Sequence, residues 1–329
     1  MKQATSLSAL REATRPIVLA AGFFDGVHHG HAAVLQYARE RARELDGEAW
    51  VLTFDTHPMR ILAPGSAPLL LTSAAHKVRL LADRGMDGCI LHPFTAELAA
   101  LPPTAFAELL LHCAPTLRAI VVGEDWRFGA GGKGTPALLA ALGAPEGLRV
   151  HTVPPVIHAN EPVSSTRVRF AIMKGELAEA AAMLGRPPSV LGTVVHGHKI
   201  GRTLGFPSAN LDPHNEALPP LGVYAVLAVV DGKLIDGVMN FGTRPTFDPS
   251  EAAPATLELH LLDFRGDLYG HDIEAFFIAH LREEWYFSSV DELRDQIKLD
   301  VRHAIDILHT SAAAKFLKEY LYRRAKRVL

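Results

Sequence analysis

The sequence predicts two domains of different class: an α/β domain on a parallel sheet over residues 1–184, and an antiparallel barrel or sandwich with a long C-terminal helix over residues 185–329. Three observations carry that reading. Short apolar runs alternate with amphipathic stretches through the first half, the pattern of βαβ units. In the second half strand-like runs follow one another with no helix between them. Gly185-Arg186-Pro187-Pro188 separates the two regimes as a breaker cluster and linker. A chain of 329 residues is also longer than one hydrophobic core usually serves.

Ile17–Phe24 is a short apolar run ending at Gly22-Phe23-Phe24-Asp25, and His31–Leu45 then carries helical periodicity with its charges on one side. Ala49–Phe54 repeats the strand signal, His76–Asp83 the helix and Cys89–His92 the strand. Thr104–Leu111 reads as a helix, Ala119–Val122 as a strand and Val168–Leu184 as a helix. Parallel sheets hold ligands at the carboxyl ends of their strands, so the chemistry is expected in those loops. Beyond the linker come strands Val190–His196, Gly222–Val230, Lys233–Asn240, Thr256–Phe264 and Asp272–His280, with Asp231-Gly232 as a hairpin signal. Ser289-Val290-Asp291-Glu292 is a capping box opening a long helix through Leu308. The tail from Ala312 to Leu329 reads as a solvated amphipathic helix, basic near its end, with a phosphate-rich or subunit contact as the second reading.

Hydrophobic residues make up 48% and charged residues 21%, which excludes disorder. Lys and Arg total 33 against 36 Asp and Glu, a net charge of -3, without the basic excess of a general nucleic-acid binder. The apolar runs are too short to span a bilayer, and Met1–Arg15 lacks the apolar core of a leader. Cys89 and Cys113 cannot make a disulfide framework and fit a reducing compartment. The expectation is a cytoplasmic protein, a monomer or weak homo-oligomer, with no nucleic-acid or membrane partner.

Phe24-Asp25-Gly26-Val27-His28-His29-Gly30-His31 lies between a strand and a helix. Glycines there let the backbone approach a ligand, a helix N-terminus favours anions, and His28 and His31 can donate to phosphate oxygens. Such a His-x-Gly-His junction suits nucleotide phosphates, and it resembles the signature of nucleotidyltransferases that attack the α-phosphate of a nucleotide and expel pyrophosphate. A His-rich turn, or a metal site with His57 as third ligand, remains the alternative. Gly129, Gly131 and Gly134, after Val121-Val122-Gly123-Glu124-Asp125-Trp126-Arg127-Phe128, satisfy G-x-G-x-x-G only formally, and Lys133-Gly134 is not a P-loop. A Gly-rich loop beside a nucleotide or aromatic ligand, or a plain surface loop, fits better. Ser164-Ser165-Thr166-Arg167 opens the next helix, where hydroxyls, amides and the Arg can hold triphosphate oxygens or the hydroxyls simply cap.

Together and in this order, these segments resemble the N-terminal FMN adenylyltransferase module of bacterial bifunctional FAD synthetases, and Thr53-Phe54-Asp55-Thr56-His57-Pro58, Leu71-Thr72 and Lys77 fit the same pattern. The second half resembles the riboflavin kinase module of the same proteins through Gly197-His198-Lys199-Ile200-Gly201-Arg202-Thr203-Leu204-Gly205-Phe206-Pro207-Ser208-Ala209-Asn210-Leu211 and Asn240-Phe241-Gly242-Thr243-Arg244-Pro245-Thr246-Phe247. Glu258-Leu259-His260-Leu261-Leu262-Asp263-Phe264 and Gly266-Asp267-Leu268-Tyr269-Gly270 complete the likeness, which covers roughly Ile17 to Leu308. It implies a Rossmann-like nucleotidyltransferase domain followed by a riboflavin-kinase-like antiparallel barrel.

The resemblance implies phosphorylation of riboflavin to FMN in the second domain and adenylylation of FMN to FAD in the first, with ATP as co-substrate and Mg2+ as cofactor. It assigns nucleotide contacts to Gly22, Asp25, Gly26, His28, Gly30 and His31, to Ser164, Ser165, Thr166 and Arg167, and to Gly197, Gly201, Arg202, Gly205 and Pro207. Flavin contacts fall on Phe54, His57, Pro58, Asp125, Trp126, Arg127, Phe128 and Arg282. Ser208 and Asn210 offer hard neutral oxygens two residues apart, suited to Mg2+, and Glu258 becomes the base for the ribityl 5′-hydroxyl. Ser208 stands where the family usually has Thr, Phe23 where it often has Asn, and Trp126 where Phe is commoner. The second reading is that only one activity is retained, the adenylyltransferase. A flavin-binding regulator and a cytidylyltransferase are the rivals from other classes, and the latter leaves the second half unexplained.

Overall fold

The computed structural model describes residues 1–196, 205–243 and 255–328, with side chains as far as Leu321. It divides into two compact units, Met1–Ser165 and Thr166–Leu329.

The first unit is built on six parallel strands in the order β1-β4-β3-β2-β5-β6: β1 (Lys2–Ala4), β2 (Ile17–Ala21), β3 (Glu48–Phe54), β4 (Gly88–His92), β5 (Leu117–Gly123) and β6 (Arg149–Val153). Between them run α1 (His29–Glu44), α2 (Met59–Leu62), α3 (Ala74–Asp83), α4 (Ala96–Ala100), α5 (Pro103–Cys113) and α6 (Pro136–Gly143). Residues of β2 alternate between two cores: Ile17, Leu19 and Ala21 face Phe106 and Leu110 of α5, and Val18 and Ala20 face Leu35 of α1 and Leu81 of α3. Burial on both faces is why β2 reads as a continuous apolar run. The chain leaves β2 toward β3 and β4, then returns to lay β5 on the other side of β2. That reversal is a topological switch point, where the loops part and leave a crevice.

A short hairpin, β7 (Ile157–His158) with β8 (Glu161–Pro162), follows the sheet. The helix expected over Val168–Leu184 is two helices, α7 (Ser165–Met173) and α8 (Leu177–Leu184), parted at Gly175 with φ +79°. Glycine adopts that left-handed conformation without a Cβ penalty, so the break sits there.

In the second unit β9 (Ser189–Val195), β10 (Ala209–Pro213), β11 (Gly222–Val230), β12 (Lys233–Gly242), β13 (Thr256–Leu261) and β14 (Asp272–Arg282) close an antiparallel barrel in the order β10-β13-β12-β11-β14-β9. Asp231 and Gly232 form the two-residue turn from β11 to β12 with φ +48° and +75°, the geometry a tight hairpin needs. The strand expected over Thr256–Phe264 stops at Leu261, and the chain turns at Asp263 with φ +55°. Tyr224, Val226 and Ala228 of β11 fill the barrel, whereas Val223, Ala225 and Leu227 face outward onto α9 (Val290–Thr310) and α10 (Ala312–Val328). Ser289 caps α9 by accepting from the Glu292 amide, while the Glu292 carboxylate accepts from the amide and hydroxyl of Ser288. The terminal helix is not simply solvated: Ala314 and Leu317 are fully buried against the barrel's outer face. Among the described residues no helix is long and apolar enough to cross a membrane.

Candidate active sites

The turn after β2 is strained and braced. Phe24, Gly26 and Val27 have φ of +57°, +76° and +43°, values that cost a β-branched Val free energy and persist only where surrounding contacts hold them. The brace is Asp25. Its carboxylate is buried and accepts from the Leu71 amide (3.1 Å), the Thr72 amide (3.0 Å) and the Thr72 hydroxyl (3.0 Å). Gly26 N–H donates to the same hydroxyl, and Ser165 Oγ donates to the Asp25 carbonyl (3.0 Å). Asp25 and Gly26, expected at the nucleotide, are therefore turned into the protein, where they shape the loop.

Next to that turn, His28 caps α1: its Nδ1 accepts from the His31 amide at 3.3 Å. An accepting Nδ1 leaves the proton of a neutral ring on Nε2. The His28 and His31 rings stack with centroids 3.6 Å apart. Burial, then His28, then Lys77 hold the His31 imidazole well below its ordinary range, so it is neutral at pH 7. A Cβ on Gly30 would lie 3.2 Å from the His28 ring, a tight approach that glycine at this position avoids. Among the described residues no group of three His, Cys, Asp or Glu is placed to hold a metal, so nothing supports a metal site through His57. His57 instead caps Met59 through Nδ1 (3.1 Å) and meets Phe23 edge-on at 4.6 Å.

Two hollows open at this end of the sheet. A cleft of about 350 Å³ is lined by Gly22, Phe23, His28, Gly30, His31, Asp125, Ser164 and Ser165. A mainly apolar cavity of about 310 Å³ is lined by Phe54, Pro58, Phe94, Phe106, Trp126, Arg127 and Phe128. Ala21, Gly22 and Trp126 border both, so the hollows meet at the switch point between β2 and β5. Trp126 and Phe128 stack at 4.9 Å, giving a flat apolar wall suited to a fused ring system. Gly129, Gly131 and Gly132, all at positive φ, carry the loop around that cavity, and paired Phe128 and Gly134 close it. Sequence reading missed Leu62, Phe94, Leu98 and Phe106 as cavity walls, because single apolar residues on three separate helices and one loop carry no local signal.

In the second unit Thr166 and Arg167 lie at the start of α7, and the Arg167 guanidinium approaches Glu179 at 3.4 Å. Asn210 on β10 and Asn240 on β12 are both register partners of Glu258 on β13. Leu211, Met239, Leu257 and Leu259 alternate into the barrel core, so these three polar residues form one row on its outer face. His260, on the same face of β13, bonds through Nδ1 to the Pro207 carbonyl (2.8 Å) and fixes the segment leading into Ser208. His260 and Asn240 were not singled out from sequence, and their signal is the alternation about Glu258 and Phe241. Pro207 and Ser208 border a hollow of about 620 Å³ with Leu259, Leu261 and Tyr269. Gly205 stands at φ +89°, whereas Gly197, Gly201 and Arg202, and the Arg244–Phe247 string, lie outside the described residues. Arg282, expected at a flavin, gives Nε and Nη2 to Asp300 at 2.9–3.1 Å and stacks over Trp285 (5.0 Å) and Phe287 (5.6 Å).

The family described as FAD synthetase matches residues 10–167, and the family described as riboflavin kinase matches residues 184–308. The bifunctional riboflavin kinase/FMN adenylyltransferase of Escherichia coli (strain K12) is 39% identical over 284 residues, 86% of this chain and 90% of that protein. The protein of the same name from Pseudomonas fluorescens is 36% identical over 312 residues, covering 95% and 99%. A crystal structure described as a macrolide-efflux protein from Streptococcus pneumoniae matches 91% of this chain and 97% of its own, with a TM-score of 0.77 and 30% identity. On matches of this length and identity, this chain belongs to the family of bifunctional riboflavin kinase/FMN adenylyltransferases.

Proposed function

We propose that the chain makes FAD in two steps, phosphorylating riboflavin with ATP in the barrel and joining the resulting FMN to AMP, with release of pyrophosphate, at the parallel sheet. Both family matches and the bifunctional relatives support the pair of activities over retention of one alone. We set the functional boundary at 184/185, the kinase match beginning at residue 184. The observation that carries the adenylylation reading is the meeting of an apolar, aromatic-walled cavity with a helix-N-terminal cleft at one switch point. A flavin ring in the first and a triphosphate in the second bring the FMN phosphate next to the α-phosphorus.

For adenylyl transfer, the α1 amides and the Nε2–H of His28 donate to the phosphates. An incoming polyanion raises the His31 pKa and favours its protonation, so charge is matched only when substrate arrives. Ser164 and Ser165, on the cleft wall, add donors, with Thr166 and Arg167 assigned to the distal phosphates. Phe54, Pro58, Trp126 and Phe128 hold the isoalloxazine, Asp125 and Arg127 sit at the cavity margins, and His57 backs Phe23. Catalysis is then positioning plus electrostatics, with no covalent intermediate.

For the kinase step, Glu258 accepts the proton of the ribityl 5′-hydroxyl, with Asn210 and Asn240 beside it to orient the carboxylate. Ser208 and Asn210 present the uncharged hard oxygens that Mg2+ favours, next to a carboxylate, and so fit that ion. Mg2+ held by these residues would supply neutralisation of charge on the ATP phosphates. Pro207, on the rim of the hollow it shares with Ser208, and Gly205 before it are assigned to the phosphates, and Arg282 orders the wall that bears Trp285 and Phe287. The free buried thiols of Cys89 and Cys113 support a cytoplasmic setting, with a monomer or weak homo-oligomer as the working assembly. Incubation with riboflavin and Mg-ATP, resolving FMN and FAD over time, tests the whole scheme: FMN should appear first and FAD after it, and absence of either product overturns the corresponding half.

A further inference from the structure

Lys77 is the most deeply buried cation in the first unit, 2% exposed, on α3. Its ammonium is bonded to main-chain oxygens and a ring face rather than to a carboxylate. Nζ donates to the Phe54 carbonyl at 2.7 Å and the Phe23 carbonyl at 3.0 Å, and it lies 3.9 Å from the centroid of the Phe23 ring. Thr53 Oγ1 donates to the same Phe23 carbonyl at 2.8 Å. Burying a cation without a direct counter-ion opposes stability, since an apolar residue of similar length would fill the space without the desolvation cost. A group retained at that cost calls for a reason in the site.

The reason lies in what the two carbonyls belong to. Phe54 ends β3 and lines the apolar cavity, and Phe23 follows β2 and lines the cleft. One ammonium thus ties the flavin wall to the nucleotide wall at the carboxyl ends of the neighbouring strands β2 and β3. It also holds the Phe23 ring against His57, and this ring occurs where the family often has Asn.

We infer that Lys77 is a positioning residue for adenylyl transfer, clamping the Phe23 and Phe54 carbonyls so that the FMN phosphate and the α-phosphate of ATP are held in register. It touches neither reactant and acts through the two loops. The inference rests on the adenylyltransferase reading above. Around the ammonium stand Asp25 from the turn after β2, Asp55 after β3, Cys89 from β4 and His31 from α1. Burial lowers the Lys77 pKa to about 8, against the pull of Asp25, Cys89 and Asp55. Within reach of physiological pH the clamp can therefore lose its charge.

The test supplies FMN and Mg-ATP to the full chain and to Lys77→Met, and follows FAD. The unmodified chain must first make FAD from FMN. If it makes none, the adenylyltransferase reading fails and the clamp is not at issue. In Lys77→Met, kcat for FAD should fall about a hundredfold, the scale of a misplacement near 1 Å, while KM for FMN and for ATP moves far less and FMN formation from riboflavin is kept. A purely structural lysine would lower the melting temperature and leave kcat of the folded variant within about twofold of the parent, a scale far below that of lost registration, and that result overturns the inference. Should Lys77→Met not fold, the parent alone decides: kcat/KM for FAD formation, which reports the free protein, should decline with a one-proton break at about pH 8, and a flat kcat/KM profile through that value sinks the clamp.

Discussion

Asn210 and Glu258 stand opposite each other across β10 and β13, and Asn240 flanks Glu258 from the other side on β12. Three polar side chains form one row on strands whose alternate residues fill a hydrophobic barrel, and its geometry is set by the sheet ladder rather than by a loop. Register fixes their order, because a one-residue slip would send the row into the core.

That placement predicts a clean separation of activities. Glu258→Gln keeps shape and hydrogen bonding but removes the proton acceptor. FMN formation from riboflavin should drop by about 10²–10⁴-fold, the range of general-base loss, while FAD formation from supplied FMN continues at the parent rate. Comparable loss in both assays would contradict the assignment.

His28 serves the fold through Nδ1 and, in the proposed scheme, the reaction through Nε2, and substitutions can separate the two. His28→Ala should abolish FAD formation, leave FMN formation intact, and lower stability by about 0.5–2 kcal/mol through loss of the α1 cap. His28→Asn restores a capping acceptor, so stability should return without FAD formation. Chemical denaturation and the two product assays measure both, and recovery of FAD synthesis in His28→Asn would remove His28 from the chemistry.

His31 makes folding stability depend on pH. In the native chain its pKa lies well below 6.5, with burial the chief cause, whereas the unfolded chain takes up a proton near that value. The unfolded state therefore binds more protons below about pH 6.5, and stability falls as the pH drops through that point. Urea midpoints read by fluorescence should shift downward between about pH 7.5 and about pH 5.5, either side of the free imidazole pKa. His31→Asn should lessen that shift, and an identical shift in the variant would rule His31 out as its source.

Leu317 tests whether the terminal helix belongs to the barrel. It is fully buried with Phe276, Leu227 and Leu308. Leu317→Ala should cost about 2–5 kcal/mol, against under about 0.5 kcal/mol for a solvated helix. Thermal unfolding followed by circular dichroism distinguishes the two.

Much of this was legible without coordinates. Strand and helix periods are local, so β2 through β5, the barrel strands other than β10 (Ala209–Pro213) and the Asp231-Gly232 turn could be read from runs of a few residues. The order of motifs also pointed to the family to which the chain belongs. Tertiary structure decided which polar groups are spent on partners within the protein. Asp25 turns inward to Leu71 and Thr72, partners 46 and 47 residues away, and Arg282 goes to Asp300 on a later helix. Likewise, Leu317 is buried because a barrel wall apolar on both sides lies beneath it, and Lys77 is a clamp because two strand ends converge on it. Backbone periodicity is written in neighbouring residues, whereas the partner of a buried charge is chosen by chain segments that meet only on folding.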